Sequence, residues 1–151
     1  MKQRTIRRQD GVNLIELMIV VAIISIIAAV AYPAYTRYVA DARRADCSGG
    51  LAALANAMER HYSINGSYLG AAAAGANTGA PAVFGTACPI DGGTANYNLT
   101  ISAATASTYT VQAAPTGPQA GDRCGTLTLT NTGVKGVTGA AAGNDWQACW
   151  R

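Results

Sequence analysis

The sequence has little of what enzymes and metal sites need. Of its 151 residues, one is histidine, one is phenylalanine and 13% are charged. Catalysis requires positioned acids, bases or nucleophiles, and the single His61, beside Tyr62, fits a helix-surface or packing role better. The four cysteines are separated by 41, 36 and 25 residues, without the close C-x-x-C pair typical of zinc sites. No glycine-rich phosphate-binding loop follows a predicted strand. We therefore predict no enzymatic activity, no cofactor and no metal site.

The soluble part of the chain is predicted to have a small core and many loops. Aromatic residues make up 7% of the sequence, and 17 residues are glycine. Small domains of this kind are often stabilised by disulfides, and the four cysteines are suited to that role in an exported protein. The net charge of +3 arises entirely in the first 11 residues, because the chain from Val12 onward carries 7 basic and 7 acidic side chains. The charge therefore does not indicate nucleic-acid binding.

The longest apolar run extends over 18 residues, from Leu14 to Ala31, and only Glu16 and Ser25 interrupt it. This is close to the ~20 residues that a membrane-spanning helix needs. The basic residues that precede the run predict that the N-terminus stays cytoplasmic and that the rest of the chain is exported. A carboxylate at the centre of such a helix costs roughly 2.5–3.5 kcal/mol, and less near the interface, so Glu16 predicts a partner of opposite charge.

This N-terminal region resembles the type IV prepilin family. In that family a short basic leader is cut after a glycine, and the fifth residue of the mature chain is a glutamate. The matching residues here are Gly11 and Glu16, although Val12 replaces the commoner phenylalanine and Asn13 the commoner threonine. The resemblance implies that prepilin peptidase cleaves between Gly11 and Val12 and methylates the amine of Val12. It also implies that Glu16 takes part in filament assembly.

Two other interpretations of the same run remain open at this point. An ordinary secretory signal also combines a basic start, an apolar core and a small-residue site, and it would be cut after Ala31. A plain single-pass anchor is the second. The carboxylate inside the run and the helical pattern beyond Ala31 favour the prepilin interpretation.

Helical patterning continues beyond the apolar run. Pro33 removes one helix hydrogen bond and predicts a kink without ending the helix. A stripe at spacings of three and four residues then predicts a buried helix face, formed by Cys47, Leu51, Leu54, Met58 and Tyr62. We assign Arg43 and Arg44 to a solvated face in preference to a DNA-contact patch. Asn65-Gly66 ends the helix, which gives four predicted regions: the leader (1–11), the hydrophobic helix (12–34), the amphipathic helix half (35–65) and the globular domain (66–151).

Short segments that alternate apolar and polar residues predict a small antiparallel sheet. They lie after a long Ala/Gly-rich surface loop (66–94), and they cover residues 97–101, 109–113, 126–130 and 134–137. The predicted fold is α+β: one long helix, from about residue 12 to residue 63, packs on this sheet. Its hydrophobic half is too long to pack on so small a domain and is expected to protrude.

The rest of the chain extends the resemblance to type IV pilins, and specifically to PilE-type minor pilins. The similar segments include Met58-Glu59-Arg60-His61-Tyr62, Cys124-Gly125-Thr126-Leu127 and Cys149-Trp150. The implied function is that of a structural subunit, a minor pilin that joins or initiates the pilus. Implied partners are other pilin subunits, prepilin peptidase and the inner-membrane assembly machinery; implied locations are the inner membrane and then the extracellular filament. A DNA-binding pilin for natural transformation and a type II secretion pseudopilin are the alternatives.

The cysteines are predicted to form two disulfides. Cys47 lies on the helix stripe that faces the domain, and Cys88 follows it most closely in sequence. Cys124 opens a predicted strand, and Cys149 lies in the tail. We therefore expect the pairs Cys47–Cys88 and Cys124–Cys149, among the three pairings that four cysteines allow.

Overall fold

The computed structural model describes residues 13–150, so Gly11 and Val12 lie outside the described residues. The chain divides into two compact units, one up to Tyr38 and one from Val39 onward. Helix α1 extends over 52 residues, Leu14–Asn65, and passes through Pro33. It ends two residues beyond the predicted Ser63, where Gly66 adopts φ +68° and donates its N–H to the Tyr62 carbonyl at 2.7 Å. Glycine suits this left-handed position because it has no Cβ.

Five antiparallel strands form one sheet in sequence order, β1-β2-β3-β4-β5. The predicted fold of a long helix packed on a small antiparallel sheet is therefore confirmed. The first two predicted strands, at 97–101 and 109–113, are longer in the structure. The strand at 126–130 has the predicted bounds, and the last begins and ends one residue later than predicted. The bounds are β1 Ala87–Cys88, β2 Tyr97–Ala104, β3 Tyr109–Pro115, β4 Thr126–Thr130 and β5 Lys135–Thr138. A short helix that the sequence did not predict, α2 (Trp146–Cys149), follows the sheet.

The core lies between the sheet and the part of α1 that follows Val39. The predicted helix stripe is buried at Cys47, Leu51, Leu54 and Met58, whereas Tyr62 is partly exposed. Alternate strand residues complete the same cluster because successive side chains of a strand point to opposite faces. Those residues are Tyr97, Leu99, Ile101, Tyr109, Val111, Ala113, Leu127 and Leu129.

The segment between α1 and β2 is more structured than the predicted surface loop. A 3₁₀ turn forms at Ala73–Gly75, and β1 pairs with the start of β2. Gly79 exchanges two hydrogen bonds of 2.9 Å with Ile101, beside a bulge in β2. The segment thus covers the outer edge of β2, which would otherwise expose unpaired backbone groups. Local sequence gives no sign of this, since β1 is only two residues long and its pairing is long-range.

An added methyl group is expected to have opposite effects on stability at two adjacent glycines of α1. A Cβ on Gly50 would lie 3.0 Å from Cys88 Sγ, whereas a Cβ on Gly49 would meet nothing within 4 Å. We expect Gly50→Ala to lower the free energy of unfolding by about 1–2 kcal/mol, because the cystine must shift. Gly49→Ala, the matched control, should raise it by about 0.5–1 kcal/mol through helix propensity alone. Thermal unfolding of the detergent-solubilised chain measures both, and equal effects would contradict the close approach at Gly50.

Candidate assembly interface and its supporting residues

The first half of α1 exposes a continuous apolar surface. Its large aliphatic side chains between Leu14 and Val30 are 48–77% exposed. Among the described residues, α1 is the one helix that is long and apolar enough to cross a membrane, judged by length and composition. An apolar surface of this extent marks a membrane or protein interface.

Two polar residues interrupt this surface, and they differ in their contacts. Ser25 donates its hydroxyl to the Val21 carbonyl at 2.8 Å, so its own helix satisfies it. Glu16 is exposed in the first turn of α1, where the positive end of the helix dipole favours a carboxylate. The kink predicted at Pro33 stays a prediction; the helix continues past it, and the Thr36 hydroxyl donates to the Pro33 carbonyl at 3.1 Å.

A buried polar cluster lies in the unit that begins at Val39 and joins α1 to the loop between β3 and β4. We call it the Arg44 cluster, and it comprises Arg44, Tyr97, Gln119 and Asp122. The guanidinium of Arg44 donates two hydrogen bonds to the Asp122 carboxylate, one of them at 2.9 Å, and the two side chains are 5% and 1% exposed. The Gln119 amide donates to the Ala40 carbonyl at 3.0 Å. The burial of Arg44 and its pairing with Asp122 contradict the sequence-based assignment of Arg44 to a solvated face.

The groups of the Arg44 cluster shift one another's pKa values. Burial alone would raise the pKa of Asp122, but hydrogen bonds from Arg44, Tyr97 and the backbone N–H of Cys124 outweigh it and lower that pKa. The pKa of Tyr97 is raised, mainly by burial and to a smaller extent by its hydrogen bond to Asp122. The cluster therefore favours an ionised Asp122 and a neutral Tyr97 at physiological pH.

A second, exposed ion pair flanks this cluster. Arg123 donates to the Asp41 carboxylate at 3.2 Å, and both side chains are about half exposed. Asp41 also accepts a hydrogen bond of 2.9 Å from Arg44. Exposed pairs of this type contribute roughly 0–1 kcal/mol, so the buried pair carries most of the connection between helix and loop.

Two disulfides connect the elements around the sheet. Cys47 of α1 is joined to Cys88 of β1 with a Cα–Cα distance of 5.4 Å, and Cys124 is joined to Cys149 of α2 with a distance of 5.7 Å. These are the pairs expected from the sequence. They attach the loop to the helix at one point and the C-terminal tail to the start of β4 at another.

The tail has further attachments besides its cystine. Asp145 caps α2 by accepting the Ala148 N–H at 2.9 Å. The indole N–H of Trp150 donates to the Gly136 carbonyl at 3.0 Å, and the ammonium of Lys135 lies 5.2 Å from the Trp150 ring centroid. These contacts fix α2 against β5, the outermost strand.

Removing the second disulfide should free the tail while the first remains. Cys124→Ser paired with Cys149→Ser should lower the free energy of unfolding by about 3–4 kcal/mol, because the closed loop restricts the unfolded chain. The sequence separation of 25 residues sets that estimate. Non-reducing peptide mapping of the wild-type chain should yield a peptide that links Cys124 to Cys149. A peptide that links Cys47 to Cys124 or to Cys149 would contradict the pairing.

The one histidine and the other titratable groups form no recognisable catalytic arrangement within residues 13–150. The His61 ring is hydrogen-bonded to the Leu69 carbonyl at 2.9 Å, and it lies 3.2 Å from the Asn65 side-chain amide. Over the same residues, no group of three or more His, Cys, Asp or Glu side chains is arranged to hold a metal ion.

Comparison with known proteins gives two family matches that together cover most of the chain. Residues 6–32 match the prokaryotic N-terminal methylation motif. Residues 33–128 match the family described as type IV minor pilin ComP, DNA uptake sequence receptor. No curated protein matches the chain at a significant level.

Similar solved structures include two pilins. The non-core minor pilin PilV of Neisseria meningitidis is 20% identical, with a TM-score of 0.48, over 68% of this chain and 90% of that one. A type IV pilin from Shewanella oneidensis is 28% identical, with a TM-score of 0.45, over 74% of this chain and 98% of that one. The ComP model alone matches more than half of the sequence. The chain therefore belongs to the type IV minor pilin ComP family, and it is a minor type IV pilin, made as a membrane-anchored precursor and later assembled into an extracellular pilus.

Proposed function

We propose that the mature chain begins at Val12, carries a methylated amine there, and joins the pilus through residues 12–34. The observation that supports this most is the exposed apolar surface of α1 with its one carboxylate, Glu16. Once the segment leaves the bilayer, water would contact every one of these side chains. Burial of one Ile or Leu contributes on the order of 1.5–3 kcal/mol, so segments of neighbouring subunits cover one another favourably.

An assembly of identical or similar helices also needs a defined register. Head-to-tail contacts whose rotation does not close generate an open helical filament. We propose that Glu16 sets the register by pairing with the charged amine of Val12 on a neighbouring subunit. An unpaired charge in the dry centre of such a filament is costly, so misaligned subunits are disfavoured.

The same assembly pathway assigns a role to each of the four regions of the chain. The leader (1–11) is removed by prepilin peptidase, so the chain is the substrate of an enzyme and has no catalytic role itself. The hydrophobic part (12–34) spans the inner membrane and then lies in the filament, the amphipathic part (35–65) supports the domain, and residues 66–151 face the surface. An inner-membrane platform, a cytoplasmic assembly ATPase and an outer-membrane secretin complete the pathway.

Mass spectrometry of sheared and purified filaments tests this proposal. We expect a methylated N-terminal peptide that starts at Val12, in an amount well below that of the dominant pilin. Deletion of the gene should reduce piliation and twitching while the dominant pilin band remains. A chain that begins at Tyr32 would identify an ordinary secretory signal. A chain found only in a type II secretion apparatus, and absent from pili, would identify a pseudopilin.

A second candidate function is binding of DNA during uptake, which the ComP family description favours. The charge of this chain limits such binding. Within residues 13–150, four cationic side chains are exposed, and one of them, Arg123, is paired with Asp41. The four are Arg37, Arg60, Arg123 and Lys135. Each phosphate contact contributes about −0.9 to the slope of log K against log salt concentration.

A salt titration with duplex DNA tests this second function separately. If the exposed cations make the contacts, the slope should be no steeper than about −4, and affinity should be micromolar at low salt. A pool of genomic fragments serves as the probe, with a random duplex as the control for sequence preference. Absence of binding at low salt would leave this chain without the DNA role, whereas its place in the filament would be unaffected.

A further inference from the structure

The aromatic residues of α1 are distributed unevenly along its first half. The apolar run from Leu14 to Ala31 contains no aromatic residue, yet Tyr32, Tyr35 and Tyr38 follow within the next seven positions. All three are largely exposed, at 73%, 66% and 73%. The other four tyrosines belong to the unit from Val39 onward, where three are buried and Tyr62 is partly exposed.

We infer that Tyr32, Tyr35 and Tyr38 anchor the membrane-bound precursor in the lipid headgroup layer on the exported side of the bilayer. A tyrosine has an apolar ring and a hydroxyl that needs a polar partner, so it favours the boundary between hydrocarbon and water. We call these three residues the tyrosine girdle.

The length of the apolar run places the tyrosine girdle at that boundary. At 1.5 Å per residue, 18 residues span about 27 Å, close to the ~30 Å of bilayer hydrocarbon. Tyr32 then stands at the edge of the hydrocarbon, and Tyr38 lies about 9 Å further along the axis. Each headgroup layer is roughly 5–8 Å thick, so the girdle extends across it. Arg37, exposed among the tyrosines, is placed to meet lipid phosphates.

The tyrosine girdle also sets the depth of the helix at the cytoplasmic face of the bilayer. If the helix moved inward by one turn, the Tyr32 hydroxyl would enter hydrocarbon without a partner, and outward movement would expose apolar residues to water. With the girdle in place, Leu14 marks the cytoplasmic edge. Three residues separate Gly11 from Leu14 in the sequence, and a chain of that length can span at most about 10 Å. The girdle thus keeps the Gly11–Val12 bond at the cytoplasmic surface.

This inference needs only the membrane-anchored precursor and is independent of the pairing proposed between Glu16 and Val12. It also makes the bilayer, and not a neighbouring pilin, the partner of these tyrosines in the membrane-bound precursor. A measurement on subunits outside any filament therefore tests the contact with the bilayer separately from the pairing of Glu16 with Val12.

The experiment measures where α1 leaves the bilayer. Single cysteines are introduced at positions 28–42, with 32, 35 and 38 omitted, into the full-length precursor in phosphatidylethanolamine–phosphatidylglycerol vesicles. A membrane-impermeant maleimide labels the exposed ones, since the four native cysteines are paired in disulfides. Labelling is normalised to Ser107→Cys, at an exposed site of the soluble domain.

Two matched triple variants decide the result. In the wild-type background, labelling should begin between positions 31 and 36. Replacement of all three tyrosines by leucine should move this boundary toward the C-terminus by three to four residues, about one helical turn. Replacement by tryptophan, which also favours the interface, should leave it within one residue. A boundary that stays in place in the leucine variant, or one that moves equally in the tryptophan variant, would overturn the inference.

Discussion

Glu16→Gln should give a precursor that is cleaved normally and yet is nearly absent from purified pili. Glutamine keeps the size of the side chain and removes its charge, so in the proposed pairing the amine of Val12 on the neighbouring subunit would be left without a counter-charge in an apolar environment. Loss of one partner of a buried ion pair costs about 3–5 kcal/mol, which corresponds to a decrease of more than 100-fold in incorporation. Quantitative mass spectrometry of filaments, against the amount in the membrane, measures this ratio. Glu16→Ala should behave in the same way.

Ser25→Ala is the matched control for this experiment. Ser25 also interrupts the apolar run, but its hydroxyl is bonded to the Val21 carbonyl of its own helix. Its loss should therefore leave incorporation within about twofold of wild type. Equal amounts of the Glu16→Gln and wild-type chains in pili would rule out charge pairing as the determinant of register. Failure of leader cleavage in Glu16→Gln would instead place the role of this residue at the peptidase.

The sequence predicted the features that local periodicity encodes. The helix stripe from Cys47 to Met58 and the alternation in β4 each follow from a repeat of known period, and the apolar run follows from its length and composition, so their positions were close to those in the structure. The leader motif supplied information that periodicity cannot give, because a glycine and a glutamate at this spacing are typical of the type IV prepilin family. The family matches to the methylation motif and to a minor pilin agree with that interpretation.

The sequence did not predict the contacts that depend on distant partners. Strand β1 exists because Ala87 and Cys88 pair with β2, and two residues carry no pattern of their own. Arg44 was assigned to a solvated face because an arginine is rarely buried without a partner, and its partner Asp122 is 78 residues away. One signal was present: Arg44 precedes Cys47 by three residues and therefore continues the buried stripe. The helical spacing therefore indicated a buried position for Arg44, but the assignment to a solvated face followed its charge and was wrong.

Loss of one partner of the buried ion pair in the Arg44 cluster should be among the most destabilising single substitutions in the domain. Arg44→Met keeps the length of the side chain but leaves the Asp122 carboxylate, 1% exposed, without its cationic partner. We expect a loss of about 3–5 kcal/mol in the free energy of unfolding, a large part of the stability of a small domain. Arg123→Met is the control on a neighbouring exposed pair and should cost less than about 1 kcal/mol.

A double variant separates the ion pair from packing. In the wild type, Tyr97 donates to one carboxylate oxygen of Asp122 and the Cys124 N–H donates to the other. Asp122→Asn keeps one of these two acceptors, and its NH2 group can donate to the Tyr97 hydroxyl, which also accepts hydrogen bonds. The combination of Arg44→Met and Asp122→Asn should therefore cost clearly less than the sum of the two single variants, because each single variant leaves one unpaired buried charge and the double variant leaves none. Additive losses would mean that Arg44 stabilises the domain mainly through the packing of its apolar stem.

Acid should weaken the same cluster in a way that identifies Asp122. The pKa of Asp122 is lowered in the folded state, so the folded protein holds that proton less tightly than the unfolded chain does. The stabilisation is therefore present above the ordinary aspartate pKa of about 3.9 and is lost as pH falls through the lower value of the folded state. Unfolding midpoints measured between neutral pH and about pH 2.5 should fall more steeply for wild type than for Asp122→Asn, which has no carboxylate to protonate at this position. If the two chains lose stability in parallel, the acid-sensitive group lies outside the Arg44 cluster, and Asp122 is held by hydrogen bonds that do not depend on its charge.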